Sequence, residues 1–355
     1  MSKFDFVAWA SAPPSWIVSA GNDLDGIVLS SRLRLARNFL GVPFPHHATA
    51  TQQKKSLENT LDVLKVSPGM DKNTAFRLGQ LHPIERLFLM ERQLISHEHA
   101  GKEGDVGLVV SAGESISVMV NEEDHVRAAC FRPGLALADA WEKLTQLDDE
   151  IASQIPLSYN AELGYITACP TNMGTGLRAS CLLHLPALVL TKKINAVVEN
   201  LVHAGVTARG FYGEGTTAMG DLFQISNVRT LGQSEPQIIK EIEGVVKEIS
   251  MLEKRERENI IDSGQKRHFE DQLSRSYGTM RWAKMLSLSE GMKNVSMARL
   301  GIKLGLELPL TFEAATALFF LSQPAHLKMK AGKSRNAEAD EVLRADFFRA
   351  QLSKN

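Results

Sequence analysis

The sequence predicts an α+β fold: an antiparallel β-sheet flanked by helices, followed by a helical C-terminal region. Three observations carry this. First, residues 106–111, 115–120 and 125–131 are β-rich stretches separated only by Ala112-Gly113-Glu114 and by the acidic run Asn121-Glu122-Glu123-Asp124. Connections that short pair neighbouring strands antiparallel. Second, Leu137, Trp141, Leu144, Leu147 and Ile151 recur at helical spacing, which predicts an amphipathic helix over 135–152. Third, beyond Gly232 the pattern is almost wholly helical. Strand meanders with interspersed helices argue against a doubly wound parallel sheet.

The elements follow in order. Residues 1–22 read as a short, partly apolar arm. Residues 164–168 read as a strand leading into Cys169. Pro186 can open a helix that runs to about residue 203 and stops at Gly205. Residues 206–211 and 222–228 read as strands around a glycine-rich loop. Ser234 and Gln237 have capping-box spacing. Ile238, Ile242, Val245, Ile249 and Leu252 then form a stripe for helix packing. The charge run 254–258 is expected on a solvated face. These readings place an arm at 1–22, a sheet-containing unit at 23–254 and a helical unit at 255–355.

The 355 residues are 44% hydrophobic and 23% charged, with a formal net charge of -1. That is ordinary for a soluble globular protein, with no global field to draw nucleic acid or a membrane. Cys130, Cys169 and Cys181 make an odd, sparse set, which fits a reducing cytoplasm rather than a disulfide framework. No basic segment leads into an apolar one at the start, and no apolar run approaches the roughly 20 residues of a membrane span.

The chemistry concentrates in a few runs. Cys169-Pro170-Thr171-Asn172-Met173-Gly174-Thr175-Gly176-Leu177-Arg178-Ala179-Ser180 combines a thiol, a rigid proline, a glycine-permitted turn and an arginine. The acidic turn continues into His125-Val126-Arg127. Arg32 and Arg34 stand in Ser30-Ser31-Arg32-Leu33-Arg34, and Arg209 opens Arg209-Gly210-Phe211-Tyr212-Gly213-Glu214-Gly215. Several arginines converging in fork geometry are what a triphosphate requires. Any one of them alone reads as a surface or ion-pair arginine, and the acidic run alone as a solvated turn. The phosphate-binding Gly-x-x-x-x-Gly-Lys-Ser/Thr loop is absent, as are the His-Arg-Asp and Asp-Phe-Gly elements of protein kinases. His97-Glu98-His99 lacks the spacing of a zinc helix, so no metal ligands are expected from the chain.

Taken together, the cysteine run and the acidic run resemble the signature of the ATP:guanidino phosphotransferases. This is the phosphagen kinase family of creatine and arginine kinases. The resemblance extends through most of residues 23–254 and is strongest to the bacterial branch that phosphorylates arginine side chains on proteins. It implies that Arg32, Arg34, Arg127, Arg178 and Arg209 hold the phosphates of ATP. It implies further nucleotide contacts from Ser30, Ser31 and Leu33, from Ala179, Ser180, Cys181 and Leu182, and from Gly210, Phe211, Tyr212, Gly213 and Glu214. Gln93 stands where relatives often have a histidine against the nucleotide. Glu123 matches the family's catalytic glutamate. Glu214 and Cys169 complete the cradle for the acceptor guanidinium, and Mg2+ is carried mainly by the ATP phosphates.

Small-molecule guanidino kinases carry a helical domain of about a hundred residues before the serine-arginine strand, whereas here 29 residues precede Ser30. The expectation is an opening that admits arginine on a polypeptide. The resemblance also implies arginine-containing protein substrates marked for a Clp protease, an activator protein, a heat-shock repressor as partner, and a homodimer held by the C-terminal helices. The branch's C-terminal phosphoarginine pocket, Arg-Asp-x-x-Arg-Ala, is matched by Asp340-Glu341-Val342-Leu343-Arg344-Ala345, where an acid replaces the first arginine. Two other readings stay open: a kinase of a small free guanidino compound, and a catalytically silent adaptor that binds proteins.

Overall fold

The structure is a computed structural model that describes residues 4–18, 23–70, 72–210, 218–262, 266–332 and 336–353. Its strands are β1 Val28–Arg37, β2 Thr74–Arg77, β3 Gly107–Val110, β4 Ile116–Val120, β5 Val126–Pro133, β6 Tyr159–Asn160, β7 Gly164–Tyr165, β8 Leu177–His184, β9 Val206–Gly210 and β10 Leu222–Asn227. Among the described residues, eight of these form one antiparallel sheet in the order β2-β3-β4-β5-β1-β8-β10-β9. β6 and β7 form a separate ribbon.

Strand alternation splits the sheet into two unlike faces. Leu33 and Leu35 of β1, Ala128 and Cys130 of β5, and Ala179 and Cys181 of β8 point into one core. Helices Ala50–Val66, Leu137–Gln154 and Glu235–Asp262 cover that face with Leu57, Leu144, Leu147, Ile242 and Val246. On the other face, Met119, Ala129, Phe131 and Leu182 share a second core with the C-terminal helices. These are Lys266–Trp282, Leu288–Lys303, Phe312–Leu321, Pro324–Ala331 and Ala337–Leu352. The C-terminal helices therefore cover part of the second face, and the rest carries the charged side chains.

Several expectations change in the folded chain. Residues 4–18 of the expected arm pack into the second core. Helices Phe6–Ala10 and Ser15–Val18 bury Phe6, Ala10, Trp16 and Ile17 in the second core. Trp16 stacks on Phe131 with ring centroids 5.1 Å apart. The boundary expected near 255 falls inside one continuous helix, Glu235–Asp262. Part of the 254–258 charge run turns inward. Arg257 is buried and pairs with Glu253 at 3.0 Å and Asp25 at 3.2 Å, and Glu256 is buried and pairs with Lys193 at 2.7 Å. The helix expected over 186–203 breaks into Pro186–Leu190 and Ile194–His203 around Lys192, whose φ is +60°. Of residues 164–168, only Gly164 and Tyr165 pair as a strand.

Candidate active site

β1 runs between β5 and β8, and its register aligns the arginines. Arg32 faces Phe131 on one side and Ser180 on the other. Arg34 faces Ala129 and Arg178, and Arg127 lies opposite Ala36. Ser180 pairs with Ser226, and Gln224 pairs with Leu182 and with Arg209. Directly opposed residues share a face, so Arg32, Arg34, Arg127, Arg178 and Arg209 all project from the same side of the sheet. Four strands, carrying arginines from Arg32 to Arg209, thus build one cationic field.

That field strains its members. Burial, then the charges of Arg127 and Arg178, lower Arg32 to about 9. Burial and the neighbouring Arg32, Arg127 and Arg178 push Arg34 far below the ordinary arginine value. The Nε atoms of both are buried without a hydrogen-bond partner among the described residues. Guanidinium groups are the most persistently charged in proteins. Their depression here marks a site whose charge an anion would relieve.

The acid side is built by the β4–β5 turn. Asn121 holds a left-handed φ of +58° and is pinned by its side-chain amide to the carbonyls of Gln53 and Asp105, at 2.8 and 2.7 Å. Asparagine tolerates that conformation better than most residues. The next three acids then take different tasks. Glu122 is buried. Burial alone would raise its carboxyl, but the Arg127 charge, the Ser96 hydroxyl and the Glu123 N–H hold it down to about 2. Arg127 donates to it at 2.7 Å.

Glu123 remains 39% exposed. It lies 3.5 Å from Arg127 and accepts a hydrogen bond from the Asn172 amide at 3.0 Å. Partial burial, with Glu122 and Asp124 adding to it, raises its carboxyl above the ordinary value despite Arg127. Asp124 is fully buried and accepts from the Asn38 amide and from the N–H of Ala168, at 2.5 and 2.7 Å. It joins the acid turn to the segment just before Cys169. Cys169 is partly exposed, and its Sγ lies 3.0 Å from the Thr171 hydroxyl. Glu123 and Cys169 thus flank one short turn, Pro170–Asn172.

Beside Arg32 lies a small, partly open cavity. Trp16, Phe131 and Leu182 form its apolar walls, and Ser30, Arg32, Gln93, Ser180 and Gln224 its polar ones. Arg32 donates to the Gln93 carbonyl oxygen at 3.2 Å and lies over the Phe131 ring at 5.0 Å. Two aromatic walls and a few convergent polar groups suit a planar heteroaromatic ligand.

The structure therefore brings together Ser30, Arg32, Arg34, Gln93, Arg127, Arg178, Ser180, Leu182 and Arg209, with Glu123 and Cys169 on the acid side. It does not bring Ser31, Leu33, Ala179 or Cys181 into that space with their side chains. Leu33, Ala179 and Cys181 lie in the opposite core, and Ser31 Oγ donates to the Gly134 carbonyl at 2.8 Å. Gly210 ends β9. Phe211, Tyr212, Gly213 and Glu214 lie outside the described residues. His99 is buried against the Gly107 carbonyl, and among the described residues no group of three or more His, Cys, Asp or Glu could hold a metal. Reading the sequence missed Trp16, Phe131 and Gln224 in the cavity and Asn38, Asp124 and Asn172 beside the acid. The alternation of 177–184 could have revealed β8, whereas nothing local marks Trp16.

The family profile described as "ATP:guanido phosphotransferase, C-terminal catalytic domain" matches residues 55–256. That described as "Protein-arginine kinase McsB C-terminal domain" matches 266–355. The protein-arginine kinase of Caldanaerobacter subterraneus subsp. tengcongensis is 40% identical over 330 residues, 92% of this chain and 97% of the relative. That of Bacillus subtilis is 38% identical over 340 residues, 95% and 93% of the two chains. Among solved structures, lombricine kinase superposes with a TM-score of 0.59 at 24% identity, over 71% of this chain and 73% of the other. The duplicated taurocyamine kinase of Schistosoma mansoni gives 0.58 at 26% identity, over 65% of this chain and 34% of that one. With one profile over residues 55–256, another over the C-terminal helices and relatives aligned nearly end to end, the chain belongs to the ATP:guanido phosphotransferase family and, within it, to the protein-arginine kinases.

Proposed function

We propose that this chain transfers the γ-phosphoryl group of ATP to arginine side chains of proteins. The observation that carries the reading is the single sheet face on which five arginines converge beside an aromatic cavity, with Glu123 at its acid edge. The cavity takes the nucleoside, and Arg32, Arg34, Arg127, Arg178 and Arg209 take the phosphates. Phosphoryl transfer is mostly positioning and charge stabilisation, which forked arginines supply.

Glu123 binds the acceptor guanidinium and orients one nitrogen toward the γ-phosphorus. As the N–P bond forms, the bond from phosphorus to the β,γ-bridging oxygen breaks. The guanidinium proton passes to Glu123, and the products are phosphoarginine and ADP. A carboxyl raised above its ordinary value is a better base for this step than an unperturbed one. Arg127, paired to Glu122 and close to Glu123, links the phosphate and acid sides. Cys169 lies against the guanidinium without forming a covalent bond, and the family resemblance gives Glu214 the remaining role in pairing with it. Mg2+, when bound, neutralises phosphate charge, with its ligands supplied by phosphate oxygens and water.

We extend the reading to biology as the family implies it: marking proteins for a Clp protease under stress in the cytoplasm, as a homodimer, with an activator and a heat-shock repressor as partners. No helix among the described residues is long and apolar enough to cross a membrane. The decisive experiment incubates the enzyme with ATP and an unfolded arginine-containing protein, and separately with free arginine. Acid-labile phosphate on protein arginine, found by mass spectrometry, supports the reading. Turnover of free arginine alone would make the chain a small-molecule kinase, and no turnover of either would make it an adaptor.

A further inference from the structure

Three consecutive residues at the end of helix Pro83–Glu91 face three different parts of the molecule. The first, Glu91, is buried, and its carboxylate accepts the N–H of Ala325 at 2.8 Å and that of His326 at 3.3 Å. It thereby caps helix Pro324–Ala331 of the C-terminal region. The second, Arg92, has no exposed surface; it pairs with Glu114 and donates to the Ala12 carbonyl at 2.9 Å. The third, Gln93, accepts from Arg32 and lines the nucleoside cavity.

His326 closes the arrangement. Its Nε2 lies 3.3 Å from Arg92 and its Nδ1 3.0 Å from Glu91. A guanidinium only donates, so Nε2 accepts, and the remaining ring proton on Nδ1 is donated to Glu91. The imidazole is thus neutral and held in one tautomer, consistent with burial and the Arg92 charge lowering its pKa. Gln93 itself sits at a φ of +61°, a left-handed conformation that a non-glycine residue keeps only when its surroundings enforce it.

We propose that Glu91 is a positioning residue for the nucleotide site: by anchoring the C-terminal helix Pro324–Ala331 it fixes the backbone that presents Gln93. The docking of the C-terminal helices is then read out as nucleotide affinity. The inference rests on the reading above that the cavity beside Arg32 takes the nucleoside. Glu91 touches neither substrate and acts only through Gln93.

The test is a cycle of ADP affinities by calorimetry, with thermal melts in parallel. Glu91→Ala should weaken ADP by about tenfold, the scale of one lost hydrogen-bonding constraint, with kcat at saturating ATP nearly unchanged. Glu91→Gln, which still accepts from both backbone amides, should stay within about twofold of the wild type. On a Gln93→Ala background, Glu91→Ala should still lower the melting temperature but add less than about twofold in affinity. Unchanged ADP affinity in Glu91→Ala, or an equal loss in both backgrounds, overturns the proposal. Should Glu91→Ala fail to fold, His326→Ala keeps the backbone cap and loosens the imidazole links to Arg92 and to the Glu91 side chain. A loss of two- to threefold is then expected, and no loss overturns the proposal. Arg32→Ala separates the two ideas: wild-type ADP binding in that variant removes the nucleotide reading, whatever Glu91 does.

Discussion

Arg34 of β1 and Arg178 of β8 are direct partners across an antiparallel ladder, two guanidinium groups opposed on one face of the sheet. Like charges in that position destabilise by about 0.2–1 kcal/mol, and burial adds to the cost. This arginine face is therefore strained, as the lowered pKa values of Arg32 and Arg34 show. Arg34→Gln should raise the melting temperature without nucleotide by about 1–2 °C and shrink the further rise given by ADP. Calorimetric scans with and without ADP measure both. A lower melting temperature in the variant would make Arg34 a structural residue.

Glu123→Gln keeps shape and the Asn172 contact but loses charge and base. Its kcat should fall by about 10²–10⁴, with ADP affinity nearly unchanged. The wild type should show an acid limb in kcat/KM set above the ordinary carboxylate range, because burial raises Glu123. A variant that keeps more than half of the turnover removes Glu123 from the reaction.

Asp124 ties the acid turn to the cysteine segment through Ala168. Asp124→Ala leaves the Ala168 N–H without its acceptor, a defect worth about 1–3 kcal/mol. Stability should drop by that amount, and kcat by about tenfold or more as Cys169 and Glu123 lose register. ADP affinity should stay constant, because the nucleotide cavity lies elsewhere on the sheet. Loss of ADP binding in step with kcat would show a general collapse of the sheet instead.

Burial pushes Glu91 up to about 8 from an ordinary 4.5. The folded protein then binds a proton there that the unfolded chain releases, so this contribution to stability is full below pH 4.5 and is lost as pH rises toward 8. Glu91→Gln removes that dependence. The melting temperature of the variant minus that of the wild type should grow from pH 5 to pH 8. A difference that is flat with pH would mean that Glu91 titrates normally.

The matched phosphoarginine stretch is occupied by its own chain. Arg344 is buried and donates to the carbonyls of Leu286 and Ser322 at 2.9 and 3.1 Å, and Asp340 pairs with Lys328 at 2.8 Å. Asp340 adds a carboxylate where the pattern has an arginine, and with Glu341 beside it the stretch repels a phosphoryl dianion. Free phosphoarginine at millimolar levels should neither activate the enzyme nor change its sedimentation. Saturable activation abolished by Arg344→Ala would show that the pocket is retained in altered form.

Much of the site could be read from the chain because its parts are short and local. Strands 106–111, 115–120 and 125–131 announced themselves by β-rich runs and tight turns, and the helix at 135–152 by its apolar spacing. The acidic run and the cysteine run each lie within about ten residues, but alone they read as a solvated turn and a structural cysteine, and only the family resemblance singles out Glu123 and Cys169. The side chain of Cys181, by contrast, faces away from the arginines, because strand parity turns alternate residues to opposite faces.

The sequence by itself determined the α+β class, the arginine inventory and the acid opposite it, since these depend on residue type and on neighbours in the chain. Only the tertiary structure decided that five arginines share one face, that Trp16 from the N-terminal segment walls the cavity beside Arg32, and that Glu91 joins the segment of Gln93 to the C-terminal helices. Those relations depend on strand register and on packing between segments tens to hundreds of residues apart. Hydrophobic patterning says that a surface is buried without saying against what.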